Sequence, residues 1–128
     1  MDCLLTRPDV PRQMIEMLES CGHRLDIWEE ESIMPEDELR RRINGKKALI
    51  CTLADRIDEK VLEAGNELKV VATLSVGFDH IDTEECKKRG IRVGNTPGVL
   101  TDATAELTIA LLLATSRRLV EANHQLKT

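Results

Sequence analysis

A short loop after an apolar run has the residue types that could bind a small anion. The run at residues 70–74 stops at Ser75, Val76 and Gly77, so these three residues follow a predicted buried strand. Consecutive backbone N–H groups at a strand end form a concave pair of donors that suits a carboxylate. Gly77 has no Cβ, which lets a ligand approach the backbone closely. The pattern indicates Val76 and Gly77 as ligand contacts, while a tight turn alone would also account for Gly77.

The elements around this loop alternate between strand and helix patterns along the chain. Such alternation is typical of the α/β class with a parallel, doubly wound sheet and right-handed crossovers. The second of five predicted strands alternates polar and apolar residues, as an edge strand does, which fits the flavodoxin-like strand order 2-1-3-4-5. Sheets of this kind bind ligands beyond the carboxyl ends of their strands, which is where the 75–77 loop lies. The predicted strands cover residues 3–5, 24–28, 48–51, 69–73 and 91–93.

The segment that starts at Thr101 predicts a long helix, which is apolar almost all round between Leu107 and Leu113. A helix that is apolar on every side must be buried by another element. A single domain of 128 residues offers such a helix little to pack against.

Three sequence motifs stand in a fixed order: SVGFDHID at 75–82, KKRGIRVGNTPGV at 87–99 and TDATAEL at 101–107. In this order and spacing they resemble the D-isomer-specific 2-hydroxyacid dehydrogenases, and within that family the glyoxylate/hydroxypyruvate reductase branch. A weaker resemblance extends back through ALICTLADRIDEKVLEA to CLLTRPDVP, so it covers essentially the whole chain. Three linked motifs are specific evidence, whereas any one alone would be weak.

The resemblance implies an NAD(P)-dependent oxidoreductase that acts on the CH–OH group of small 2-hydroxy acids and reduces glyoxylate or hydroxypyruvate. It implies that Val76 and Gly77 bind the substrate carboxylate and that Leu53 forms an apolar wall beside the substrate. Ser75 and Thr104 would face the cofactor, NAD or NADP. Plainer explanations remain open: Leu53 could be a core residue, and each hydroxyl could satisfy a nearby backbone group.

Members of the resembled family carry a second, dinucleotide-binding domain, and their helix near Thr101 packs between the domains and against a second subunit. By resemblance, residues 1–100 are the substrate-binding (catalytic) domain, residues 101–128 are the interdomain helix, and the full-length protein is a homodimer. No G-x-G-x-x-G motif occurs in the 128 residues. The family's catalytic arginine, glutamate and histidine lie in the missing part, so we assign no catalytic residue here and predict that the chain alone is inactive. Asp79 and His80 are not predicted as an acid–base pair, because sequence neighbours cannot form a base with its orienting acid.

Composition and charge narrow the range of partners. A net charge of −5 without a basic stripe argues against nucleic acid and against an anionic membrane surface. The longest apolar run, residues 109–114, is far too short to cross a bilayer, and the N-terminus lacks a secretory signal pattern. The four cysteines show no metal-ligand spacing and are typical of reduced structural thiols. We therefore predict a cytoplasmic protein with no metal site and no membrane partner.

The alternative is a non-enzymatic flavodoxin-like module that binds a ligand or a protein partner. Its electron-transfer version needs a glycine-rich phosphate loop after the first strand, and residues 6–9 contain no glycine. Its phosphoreceiver version needs an acidic pair near Asp2 and an aspartate that ends the third strand, whereas Asp55 lies well past that end. Corepressor-type relatives keep the same fold, but SVGFDHID and TDATAEL fit the reductase branch better.

Overall fold

The computed structural model describes residues 1–127, which divide into two compact units. The first unit spans Met1–Pro97 and the second begins at Gly98. All five strands belong to the first unit, and they form one parallel sheet in the order β2-β1-β3-β4-β5. The predicted α/β class and flavodoxin-like strand order are confirmed. The strands are β1 (Asp2–Leu5), β2 (Arg24–Ile27), β3 (Ala48–Cys51), β4 (Val70–Thr73) and β5 (Arg92–Gly94).

Four helices of the first unit alternate with these strands. Pro11 and Pro35 stand directly before the first two helices, where the fixed φ and missing N–H of proline cost nothing. Asp58 and Asp82 cap the next two, because their carboxylates accept backbone N–H groups that have no partner inside the helix. The helices are α1 (Arg12–Ser20), α2 (Glu36–Ile43), α3 (Glu59–Ala64) and α4 (Thr83–Lys88).

The hydrophobic core forms on the central strands of the sheet. All four residues of β3 are buried, as expected for a strand that has neighbours on both sides and helices over it. Leu4, Leu49 and Val71 lie on three adjacent strands and have no exposed surface. Ile43 and Leu62, from α2 and α3, join the same cluster. This packing fixes the carboxyl ends of β3 and β4, from which the candidate site emerges.

The basic run at residues 40–42 is paired with acidic groups. Arg41 and Arg42 both donate to Glu38, at 2.6 Å from the nearest nitrogen of each, and these bonds lower the pKa of Glu38 to about 2. Arg42 also donates to Asp26 at 2.9 Å, with its guanidinium 5.1 Å from the centre of the Trp28 ring. The run therefore forms ion pairs within α2 and with Asp26 of the adjacent edge strand β2.

The second unit contains two helices, α5 (Thr101–Ser116) and α6 (Leu119–Lys127). The prediction of one helix over 101–128 is wrong, because Arg118 has a φ of +52° and breaks the helical path. Arg117 N–H donates to Leu113 at 3.0 Å and closes α5. The apolar side chains of α5 are exposed, with Leu112 at 67%. None of the helices within residues 1–127 has the length and apolar character needed to cross a membrane.

Truncating Leu49 to alanine tests the position of the core. Leu49 is fully buried in the central strand, so Leu49→Ala is expected to lower the free energy of unfolding by about 2–5 kcal/mol in urea denaturation. Leu126→Ala is the matched control, because Leu126 is 88% exposed and its loss should change stability by less than about 0.5 kcal/mol. Equal effects of the two variants would contradict the placement of the core.

Candidate functional site

Loop 75–78 follows β4 at the carboxyl edge of the sheet, where the turns after β3 and β5 also lie. The three strands are hydrogen-bonded neighbours, so the segments that follow them meet at this edge. Residues 53–58 and 79–82 line a groove of 570 Å³ between two of these segments. A parallel β-bridge between Ile57 and Ile81 joins the two segments that line this groove. The topology therefore places the predicted anion loop where sheets of this type bind ligands.

Protein donors engage three consecutive carbonyl groups of this loop. The Ser75 carbonyl accepts the backbone N–H of Thr96 at 2.9 Å. The Val76 carbonyl accepts the side-chain amide of Asn95 at 2.7 Å, and the Gly77 carbonyl accepts the Ser75 hydroxyl at 2.8 Å. Both donors from outside the loop belong to the turn after β5. The backbone conformation of the loop is thus set through its oxygen atoms.

The amide groups of the same loop are left open. Within residues 1–127, the N–H groups of Val76 and Gly77 donate no hydrogen bond to a protein acceptor. Val76 is 37% exposed and Gly77 is half-buried, so the loop lies at the surface of the domain. Open amides beside satisfied carbonyls form a donor surface that suits an anion. The binding role of Val76 and Gly77 stays a prediction, and the geometry is compatible with it.

Leu53 lies beside this donor surface. Its side chain is 65% exposed, so it is not a core residue. A Cβ built on Gly77 would have Leu53 Cδ2 at 4.0 Å as its nearest neighbour, which places the leucine methyl close to the glycine. Leu53 also lines the adjacent groove. This position is the one that an apolar wall next to a bound acid would occupy, and the substrate contact itself stays a prediction.

Ser75 is turned into the protein. It is 5% exposed, and its hydroxyl lies 2.6 Å from Thr73 Oγ1 while it donates to the Gly77 carbonyl. A hydroxyl with one partner at the end of β4 and one in its own loop supports the local-turn interpretation. Its predicted contact with the cofactor is supported by no feature of this geometry.

Thr104, the other predicted cofactor contact, belongs to the second unit. It lies in the first turn of α5, where its N–H donates to the Leu100 carbonyl at 2.9 Å and its carbonyl accepts the Thr108 hydroxyl at 2.8 Å. The side chain of Thr104 is exposed. The cofactor contact of Thr104 stays a prediction.

A buried polar group supports the groove from below. Asp55 is 4% exposed, and its Oδ2 atom accepts the Thr6 hydroxyl at 2.6 Å and the Thr52 N–H at 2.8 Å. These bonds join the end of β1 to the turn after β3. Asp55 Oδ1, also buried, has no partner among the described residues. Sequence reasoning placed Asp55 past the strand end and did not anticipate its burial.

His80 joins the same region from the β4 side. Its Nε2 atom lies 3.0 Å from the Thr73 hydroxyl, and its carbonyl accepts the Ile57 N–H at 2.8 Å. Burial lowers the pKa of His80, while Asp55 and Asp79 oppose that shift. The contacts with Thr73 and Ile57 show that His80 helps to hold the end of the loop in place. No three His, Cys, Asp or Glu side chains among residues 1–127 are grouped to hold a metal ion.

Asn95 is the residue at this site that sequence reasoning missed. The sequence indicated only a turn at residues 95–98, whereas the structure brings the Asn95 amide onto the Val76 carbonyl, 19 positions away in the chain. A polar side chain directly after a strand, at the edge that carries the ligand loop, was the available signal. Its partner could not be read without the pairing of β4 with β5.

The chain is similar in sequence and structure to known dehydrogenases. The family profile described as "D-isomer specific 2-hydroxyacid dehydrogenase, catalytic domain" matches residues 3–126. The glyoxylate reductase/hydroxypyruvate reductase of Mus musculus is 44% identical over an alignment of 128 positions, which covers 99% of this chain and 39% of the relative. The TT0316 protein of Thermus thermophilus superposes with a TM-score of 0.88 at 46% identity, over 95% of this chain and 39% of that one. NAD⁺-bound 3-phosphoglycerate dehydrogenase of Entamoeba histolytica gives a TM-score of 0.75 at 28% identity, over 89% of this chain and 38% of that one.

The sheet and its loop define an α/β domain with a donor surface at the carboxyl edge of the strands. The chain belongs to the D-isomer specific 2-hydroxyacid dehydrogenase family, whose profile it matches over nearly its whole length. The resemblance seen in the three sequence motifs is thereby confirmed. The chain spans about two fifths of the length of the mouse relative, since it covers 39% of it.

Replacing Thr6 with valine tests the buried polar group. Thr6→Val keeps the shape of the side chain but removes the hydroxyl that donates to Asp55, so the free energy of unfolding should fall by about 1–3 kcal/mol. Thr115→Val is the control, because Thr115 is exposed on α5. We expect urea denaturation to show a change below about 0.5 kcal/mol for the control. A Thr6 variant as stable as the wild-type chain would show that this bond contributes nothing.

Proposed function

We propose that this chain is the substrate-binding part of an NAD(P)-dependent oxidoreductase that acts on the CH–OH group of 2-hydroxy acids, with glyoxylate or hydroxypyruvate as the oxo substrate. The observation that carries the proposal is the loop at 75–78, in which three carbonyl groups are engaged and the amides of Val76 and Gly77 are open. Membership of the family supports the class of substrate. The similarity to the mouse glyoxylate reductase/hydroxypyruvate reductase supports the choice within that class.

The chain's own residues bind and orient the substrate. The amides of Val76 and Gly77 donate to the substrate carboxylate, and charge-assisted bonds of this kind are about twice as strong as neutral ones. Leu53, exposed beside Gly77, covers the apolar side of a small acid and limits its size. Holding the carboxylate in this way fixes the position of the neighbouring C2 atom, at which the reaction takes place.

A nicotinamide cofactor, NAD or NADP, supplies or accepts the hydride when it is bound. The residues of this chain do not form its main binding site, because the sequence contains no G-x-G-x-x-G motif. We assign residues 1–100 to the substrate-binding domain and residues 101–128 to the segment that leads into a dinucleotide-binding domain. Thr104, exposed in the first turn of α5, is the residue proposed to touch the cofactor.

The proposal includes a full-length homodimer in the cytoplasm. The exposed apolar side chains of α5, among them Leu107, Ile109 and Leu112, support burial of this helix by a further domain or subunit. The four cysteines are free thiols, three of them buried, which supports a reducing compartment. Burial raises the pKa of Cys51 to about 12, so this thiol is held in its unreactive form.

The chain alone is expected to oxidise no NADPH in the presence of glyoxylate. Hydride transfer requires a bound nicotinamide, and the sequence lacks the motif that would hold its phosphates. The measurement is the absorbance of NADPH over time, with a full-length glyoxylate reductase as the positive control. Turnover by the purified chain would show that this chain itself contains the cofactor site and catalytic groups that we assign to a further domain.

Substituting Gly77 tests the anion site directly. An added methyl at Gly77 meets only Leu53 Cδ2, at 4.0 Å, so Gly77→Ala should fold normally while its Cβ obstructs a ligand at the open amides. Glyoxylate should shift the amide NMR signals of Val76 and Gly77 in the wild-type chain. We expect Gly77→Ala to raise the dissociation constant by at least about fivefold.

Gly94→Ala is the matched control for this experiment. A Cβ at Gly94 meets no atom within 4 Å, and the residue lies in β5 rather than in the loop. It should bind glyoxylate as the wild-type chain does. Wild-type signals that do not move at any glyoxylate concentration would reject the anion site and favour the non-enzymatic module, whereas equal weakening by both alanines would reject the specific role of Gly77.

A further inference from the structure

The two open amides belong to peptide units whose carbonyl groups are both held by the turn after β5. A peptide unit is planar and trans, so its C=O and N–H bonds point to opposite sides. The N–H of Val76 shares its unit with the Ser75 carbonyl, which accepts from Thr96 N–H. The N–H of Gly77 shares its unit with the Val76 carbonyl, which accepts from the Asn95 side chain. Each bond to a carbonyl therefore also sets the direction of the amide on the opposite side.

The two peptide units, Ser75–Val76 and Val76–Gly77, differ in the group that holds their carbonyl oxygen. The Ser75 carbonyl accepts a backbone N–H, so of the residue replacements at position 96 only proline removes the donor of that bond. The Val76 carbonyl depends on one side-chain amide, at an Nδ2–O distance of 2.7 Å. Because Gly77 tolerates positive and negative φ about equally, a Val76–Gly77 unit without this restraint is free to rotate. Rotation would aim a carbonyl oxygen, instead of an N–H donor, at a bound anion.

We propose that Asn95 is a positioning residue that holds the Val76–Gly77 peptide so that the Gly77 N–H faces the substrate carboxylate. This inference rests on the proposed function, because it assumes that an anion occupies the open amides. Asn95 makes no contribution to the hydrophobic core, and it is only half-buried. Its bond to Val76 joins the β5 turn to the ligand loop over a sequence separation of 19 residues. The residue acts on the ligand through the backbone.

The experiment measures backbone order at Gly77 before any ligand is added. In the wild-type chain, the amide order parameter of Gly77 should be close to the value of about 0.85 found in rigid backbone. In Asn95→Ala it should fall below about 0.6, while Val71 in β4 stays rigid. Asn66→Ala is the matched control, because Asn66 is exposed on the turn before β4, at the opposite end of that strand from the loop. It should leave Gly77 as ordered as in the wild-type chain.

A second variant covers the case in which Asn95→Ala does not fold. Asn95→Asp keeps the size of the side chain but replaces the donor NH₂ with an acceptor oxygen, so it should disorder Gly77 as the alanine does. Asn95→Ala should also raise the dissociation constant for glyoxylate by about tenfold. This is the loss expected when one hydrogen-bond donor, the Gly77 N–H, no longer faces the carboxylate. A stabilising role alone would lower the unfolding free energy and leave Gly77 ordered in the folded state.

The outcomes separate the two proposals. A rigid Gly77 in the folded Asn95 variants would overturn the positioning role, whatever the ligand does. Disorder at Gly77 together with weaker glyoxylate binding supports both proposals. Disorder at Gly77 in the variants, with wild-type amide signals that glyoxylate never shifts, would show that Asn95 orients the peptide and that the proposed anion site is wrong.

Discussion

The conformation of loop 75–78 is fixed through its carbonyl groups, and the candidate site depends on that constraint. Free amides alone do not make an anion site, because a flexible loop can turn its oxygens outward as readily as its N–H groups. Here the oxygens of Ser75 and Val76 are bonded to the turn after β5. The donor surface therefore exists only because β5 lies beside β4 in the sheet.

Buried polar side chains also hold the loop in place on the side of β3 and β4. Thr73, the last residue of β4, contacts both the Ser75 hydroxyl and His80 Nε2, so the strand end is tied to both ends of the loop. Asp55 is bonded to Thr6 at the end of β1. Each hydrogen bond between buried polar groups of this kind favours one arrangement of the segments that it joins. These hydrogen bonds connect the loops to the carboxyl ends of the strands.

The sequence was most informative about features that depend on local pattern. The strand order follows from alternation and from the edge-like pattern of residues 24–28, since parallel strands need crossovers and only an edge strand tolerates a wet face. Gly77 could be predicted as a ligand contact because the missing Cβ is a property of the residue itself, and this role stays a prediction. Asn95 was missed because its partner is set by strand pairing, which the turn residues do not encode. The break at Arg118 was missed because a left-handed conformation usually uses glycine or asparagine, and neither is present there.

The position of β1 between β2 and β3 has a consequence for shortened forms of this protein. The first strand pairs with β2 on one side and with β3 on the other, so residues 2–5 join β2 to the rest of the sheet. A product initiated at Met14 would have no β1, and β2 would then have no neighbouring strand. The hydroxyl of Thr6 would be lost as well, which would leave Asp55 without that donor. An alternative start site would therefore detach β2 from the sheet and disturb the groove, although every residue of the ligand loop would still be present.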